Sequence, residues 1–173
     1  MNNKGYIQVY TGNGKGKTTA AIGLAIRAIG ANFKVFFGQF IKSKQYSEHK
    51  ILEKYLPNIT VETFGRGCFI FGKPEDIDIQ LANEGLKRIE EVMTMNKYNI
   101  IILDEINVAV HYNLINKSLL LNLLEKKPER IELILTGRYA SKEIIEIADL
   151  VTEMTEIKHY YSNGILAREG IEK

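Results

Sequence analysis

Short apolar runs alternate along the chain with longer segments whose apolar residues recur at helical spacing. Six runs read as strands: residues 6–10, 34–40, 59–64, 99–103, 131–136 and 149–154. Several are nearly continuous in Ile, Leu, Val and Phe, as strands covered on both faces tend to be, so the pattern predicts a sheet between helical layers. Between the first two runs, residues 18–29 carry Ala20, Ala21, Ile22, Leu24, Ala25, Ile26, Ala28 and Ile29. A segment apolar nearly all round and followed by Gly30 predicts a buried crossover helix. A second helix is predicted from Pro74-Glu75-Asp76, with Ala82, Leu86, Ile89 and Met93 on one stripe facing the sheet. Ser118 opens a third that ends before Pro128, and Ser141 a short fourth reaching Ala148. This alternation predicts an α/β architecture in three layers around a mostly parallel sheet of about six strands.

A length of 173 residues leaves room for one compact domain, 1–173, and 45% apolar residues supply a core that needs no disulfide or structural metal. With 23 Lys and Arg against 21 Asp and Glu, the net charge of +2 argues against a protein built to neutralise a nucleic-acid backbone. The single cysteine, Cys68, cannot form an internal disulfide or a cysteine-rich zinc site. It suits a reducing compartment. Neither a signal-peptide apolar region nor an 18-residue apolar stretch is present, so a cytoplasmic protein off the membrane is expected.

The strongest chemical signal is Thr11-Gly12-Asn13-Gly14-Lys15-Gly16-Lys17-Thr18-Thr19, placed between a strand and a helix. Glycines 12, 14 and 16 can adopt positive φ and turn backbone N–H groups inward, and the helix that follows adds its positive end, which makes an anion cradle. Lys17 would reach phosphate oxygens, and the Thr18 hydroxyl would complete the shell of a magnesium ion. In the usual G-x-x-x-x-G-K-[ST] pattern the first glycine would fall at Thr11 here. It is missing or displaced by one, and the loop is one residue tighter.

Ile100-Ile101-Ile102-Leu103-Asp104-Glu105 ends an apolar run in two carboxylates, as where a phosphate-loop protein places an acid beside its metal. The candidate metal ligands are therefore Thr18 with Asp104 or Glu105, the choice between the acids being open. In a parallel sheet, ligands lie outside the carboxyl ends of the strands. Gln39, Lys42, Arg66, Arg138, Glu153, Lys158 and His159 all fall at such junctions. Arg138 can pair bidentately with phosphate, a structural salt bridge being its alternative, and His159 can equally be an ordinary surface histidine. Phe69 and Phe71, in a glycine-bounded apolar loop, either form an aromatic flap over a large ligand or tuck into the core.

The three histidines form no H-E-x-x-H pair, and no G-x-S-x-G elbow occurs. Without an evident protein nucleophile, the nucleotide is either hydrolysed by an oriented water or delivered to a substrate that brings its own nucleophile. A nucleotide-driven switch or motor and a small-molecule kinase remain as alternatives at this level.

The loop, Gln39-Phe40-Ile41-Lys42, Ile102-Leu103-Asp104-Glu105, Leu135-Thr136-Gly137-Arg138, residues 148–154, Lys158-His159 and residues 167–172 together resemble the phosphate-loop ATP:corrinoid adenosyltransferases, in order and over nearly the whole chain. The resemblance implies a RecA-like phosphate-loop NTPase fold. It also implies transfer of the 5′-deoxyadenosyl group of ATP to the Co(I) centre of a corrinoid, cobalamin, cobinamide or a precursor, with triphosphate leaving. ATP would lie reversed in the cradle. The implied catalytic residues are Lys17, Thr18, Glu105 and Arg138. Ligand contacts are implied at Gly12, Asn13, Gly14, Lys15, Gly16, Lys17, Thr18, Thr19, Gln39, Lys42, Phe69, Phe71, Arg138, Glu153 and His159. Magnesium, a flavoprotein that reduces the cobalt, and a homodimer complete what the resemblance implies.

Overall fold

The computed structural model describes residues 4–42, 47–66 and 74–172. Six strands, β1 (Ile7–Thr11), β2 (Val35–Phe40), β3 (Ile59–Phe64), β4 (Ile100–Asp104), β5 (Glu132–Thr136) and β6 (Leu150–Glu153), form one sheet in the order β3-β2-β4-β5-β1-β6. Every strand pair is parallel. The crossovers carry α1 (Lys17–Gly30), α2 (Ser47–Tyr55), α3 (Asp76–Thr94), α4 (Ile106–His111), α5 (Lys117–Glu125) and α6 (Lys142–Ile147), and the 3-10 turn α7 (Tyr160–Asn163) follows β6.

Strand alternation divides the core in two. On β4, Ile101 and Leu103 face one layer, packing with Ala82, Leu86 and Ile89 of α3, Leu120 and Leu123 of α5 and Ile144 of α6. Ile100 and Ile102 face the other, with Ala21, Ala25 and Ala28 of α1 and Leu52 of α2. This is the period of two expected of a strand between covered faces.

Three details differ from the sequence reading. The helix over 17–30 buries one face only, its alanines, and leaves Ile26 53% exposed. Strand β6 is an edge strand exposed along its whole length, so its apolar residues mark pairing with β1 rather than two-sided burial. Helices α2 and α4 occupy stretches in which no helix is expected.

The helix ends follow local chemistry. The Asn116 side chain accepts from the Ser118 N–H at 2.9 Å and caps α5, and Ser141 caps α6 in the same way from Ile144. At the start of α3, the Asp78 carboxylate accepts from the Glu75 N–H at 3.0 Å. Arg66 completes that corner, with its Nε and one terminal nitrogen each 2.7 Å from an Asp78 carboxylate oxygen and the other terminal nitrogen 2.9 Å from Glu75. The bidentate fork makes Arg66 a tie between the end of β3 and α3, not a free cation at the junction. No described helix is long and apolar enough to cross a membrane.

Candidate functional site

The sheet register lines up one polar row along the carboxyl ends of the strands. Thr11 lies level with Glu153, Tyr10 with Thr136, and Asp104 with Gln39. Because β5 stands between β1 and β4, Thr136 sits between the loop-bearing strand and the acid-bearing one.

The loop leaves β1 at Gly12, φ 93°, and enters α1 through Gly16, φ 120°. Both values lie where side chains are strained, so the first glycine is displaced to position 12. Gly14 has no positive φ. Its reason is contact: a Cβ there would lie 2.7 Å from the Met154 carbonyl oxygen, and the Gly14 N–H donates to that oxygen at 2.7 Å. One N–H of the cradle thus serves the chain after β6. A Cβ on Gly12 would meet the same carbonyl at 2.4 Å.

Lys17 opens α1, and its buried ammonium donates to the carbonyls of Gly12 at 2.8 Å and Gly14 at 2.7 Å. Burial, with the Arg138 charge nearby, lowers its pKa against the opposing pull of Glu105 and Asp104.

Asp104 is the hub of the row. Its Oδ1 accepts from the Thr18 hydroxyl at 2.9 Å and the Thr136 hydroxyl at 2.6 Å, and its Oδ2 from Gln39 at 2.8 Å. Asp104, Thr136 and Gln39 are completely buried, so the Asp104 carboxylate is satisfied there by converging donors from two strands and one helix. Glu105 turns the other way. It takes φ 60°, receives the Lys42 ammonium at 3.8 Å, and its carboxyl is pushed up by burial and by the Asp104 charge, against Lys42, Lys17 and Arg138. Arg138 is exposed, forms no ion pair with a described residue, and acts on Lys17 and Glu105 through its charge.

Backbone strain gathers on the same edge. Among the described residues six non-glycines have positive φ. Asn32, Asn96 and Asn113 are ordinary for that region. The other three, Ile41 at 70°, Glu105 at 60° and Tyr139 at 65°, follow β2, β4 and β5 directly or within three residues. A β-branched or aromatic residue held there costs of order 1–3 kcal/mol, and such residues gather at ligand sites. Tyr139 is held by stacking on His111, with ring centroids 4.2 Å apart.

Thus Gly12, Gly14, Gly16, Lys17, Thr18, Gln39, Lys42, Asp104, Glu105 and Arg138 come together at one edge. Asn13, Lys15 and Thr19 are exposed on the loop and its helix, and Glu153 is exposed beside Gly12. His159 accepts from the Tyr161 N–H at 3.0 Å and, with Gly14, Lys15 and Tyr160, lines a neighbouring cavity of about 380 Å³. Phe69, Phe71 and Cys68 lie outside the described residues. Two participants carry no obvious signal in the sequence. Met154 acts through its carbonyl, which no side-chain pattern reveals. Asn107, fully buried on α4 with its Nδ2 3.5 Å from the Gly137 carbonyl, is marked only as an amide inside an apolar run.

A glycine-turned loop entering a helix, with an acid one strand removed, defines a phosphate-loop nucleotide-binding protein of the RecA-like kind. Its fold is shared with a KaiC-like protein of the hyperthermophilic archaeon Pyrococcus horikoshii, at TM-score 0.58 and 17% identity over 90% of this chain and 75% of that one. The profile of the ATP:corrinoid adenosyltransferase family BtuR/CobO/CobP matches residues 3–172, and the chain belongs to that family. Relatives named corrinoid adenosyltransferase include one from Sinorhizobium, 36% identical over 98% of this chain and 80% of its own length. Another, from Escherichia coli K12, is 32% identical over 98% of this chain and 86% of its own length.

Proposed function

We propose that this protein transfers the 5′-deoxyadenosyl group of ATP to the reduced cobalt of a corrinoid, releasing triphosphate. The observation that carries the reading is the Asp104 hub beneath the loop, in a chain that matches this family from residue 3 to 172.

The cobalt of the substrate is the nucleophile, which is why the protein needs none. It attacks the 5′ carbon, the cobalt–carbon bond forms as the carbon–oxygen bond breaks, and the electron pair leaves with triphosphate. Two tasks remain for the side chains. Alignment of the reactants contributes roughly 7–11 kcal/mol in favourable cases. Donors fixed where the charge develops supply the rest, here Lys17, loop N–H groups and Arg138. Magnesium suits the oxygen-only donor set of Thr18 with Asp104 or Glu105, because it is commonly held by one or two carboxylates together with substrate phosphates. It would neutralise charge on the triphosphate. Gln39 fixes the orientation of Asp104, and Lys42 that of Glu105. Glu153 and His159 border the loop on the side where the remainder of the ligand extends.

In this reading Phe69 and Phe71 face the corrinoid, a flavoprotein supplies the electrons, and the enzyme is a single-domain chain working as a cytoplasmic homodimer. Incubation with ATP, magnesium and chemically reduced cobalamin is expected to yield a light-sensitive adenosylated corrinoid and intact triphosphate. ADP and phosphate without that product would reject the reading in favour of an ATPase or kinase.

A further inference from the structure

The chain beyond β6 does more than follow the sheet. It runs along the phosphate loop, where the Met154 N–H donates to the Thr11 carbonyl at 2.8 Å and its carbonyl takes the Gly14 N–H. It then returns to the loop at Glu172. That carboxylate gathers five donors from three places: the Lys15 ammonium at 3.2 Å, the Tyr160 hydroxyl, and the Arg168 backbone N–H at 2.8 Å with two guanidinium nitrogens at 3.3 and 3.1 Å. The Arg168 guanidinium also lies over the Tyr160 ring, 4.9 Å from its centroid.

The Glu172 side chain is only 14% exposed although the cations around it, Lys15 at 45% and Arg168 at 52%, are open to solvent. Two cations on one shielded carboxylate form a charge-assisted knot. Lys15 is therefore engaged by its own chain rather than directed as Lys17 is. The wall so formed also bounds the cavity between Gly14, Lys15 and residues 155–160.

We propose that Glu172 is a positioning residue for the phosphate loop: by tying down Lys15 it holds the chain after β6 against the loop and keeps Gly14 in place. Lys15 and Glu172 then act on triphosphate as one unit, with Lys15 an anchor rather than a direct phosphate ligand. This rests on triphosphate occupying the loop, as in the proposed function.

The test is a double-mutant cycle of Lys15→Met and Glu172→Gln, read as binding of inorganic triphosphate with magnesium by calorimetry. Glutamine removes the charge and keeps the shape, but it leaves one acceptor oxygen where the carboxylate has two and turns the other into a donor facing Lys15 and Tyr160 or the Arg168 N–H groups. Each single variant is expected to weaken binding by about threefold to tenfold, and the double variant by no more than either, the signature of coupled residues. In the transfer assay the change falls on KM for ATP. Two factors that multiply, or wild-type affinity in Glu172→Gln, overturn the proposal, since Lys15 would then meet the phosphates by itself. Tyr160→Phe removes one donor and leaves both charges, and covers the case in which Glu172→Gln does not fold. It is expected to weaken binding about twofold, and an unchanged affinity overturns the proposal equally. Absence of transfer by a wild-type protein that still binds triphosphate would reject the reaction without touching the knot. Absence of triphosphate binding by the wild type would reject both.

Discussion

At the residue scale, the two loop lysines show how little a side chain's type says about its task. Lys17 lies buried on the Gly12 and Gly14 carbonyls, while Lys15 reaches out to Glu172. In the proposed reaction, replacing Lys17 by alanine removes a fixed donor to the leaving triphosphate and is expected to lower kcat by about 10²–10³-fold, the range for losing one fixed donor to developing charge. The far-ultraviolet circular dichroism spectrum should be retained, because the sheet and its two cores do not depend on this ammonium. Turnover within tenfold of wild type would mean that the triphosphate does not meet Lys17. That the loop turns on glycines and leads from a strand into a helix is readable from the sequence. What Gly14 is for is not readable, because its partner is a backbone oxygen 140 positions further on. The same holds for Asp104 against Glu105: the acid pair is evident, yet only the register with β2 and the position of Thr136 decide which carboxylate receives three donors.

At the element scale, strands buried on both faces are legible because nothing else in a chain this size needs such continuous apolar runs. Helix α3 is legible for the opposite reason, its stripe Ala82, Leu86, Ile89 and Met93 being buried throughout. Helix α2 escapes notice because only His49 and Leu52 are buried among nine residues, too thin a stripe to register. Helix α4 escapes because it is six residues long, mostly apolar, and begins one residue after a strand. Close packing between elements gives a stability test. A Cβ on Gly85 of α3 would lie 2.5 Å from Cγ of Phe64 on β3, at the root of the ring rather than at a movable tip. Overpacking of about 1–3 kcal/mol should outweigh the helix-propensity gain of up to about 1 kcal/mol, so Gly85→Ala is expected to lower the denaturant midpoint. An increased midpoint would contradict this contact. Between α5 and α6, the Lys117 ammonium lies 2.5 Å from Glu143 and, with an N–H of the helix start and Ser141, holds that carboxyl down to about 2. A depressed carboxylate contributes stability above its unfolded pKa and loses it as pH falls through the folded value. The small deficit of Glu143→Gln, measured by thermal unfolding across pH, should therefore be present near neutrality and vanish toward pH 2. A deficit independent of pH would place the effect elsewhere.

At the scale of the whole molecule, the parallel sheet sends all six carboxyl ends to one side, and the polar row from Gln39 through Asp104 and Thr136 to Glu153 exists because of that shared edge. Protection against amide exchange should follow the same division. The middle strands β2, β4, β5 and β1 are expected to exchange only on global unfolding. The exposed edge strand β6 and the turns at Ile41, Glu105 and Tyr139 should exchange through local opening. Uniform protection across sheet and turns would contradict it. The three left-handed residues on that edge have a further consequence. A sheet with buried centre strands holds each turn only at its base, so the unfavourable torsions can relax without the strands parting. Heating should therefore spoil ligand recognition, by letting these corners spring to easier torsions, at temperatures where the open sheet beneath them still reads as native by spectroscopy.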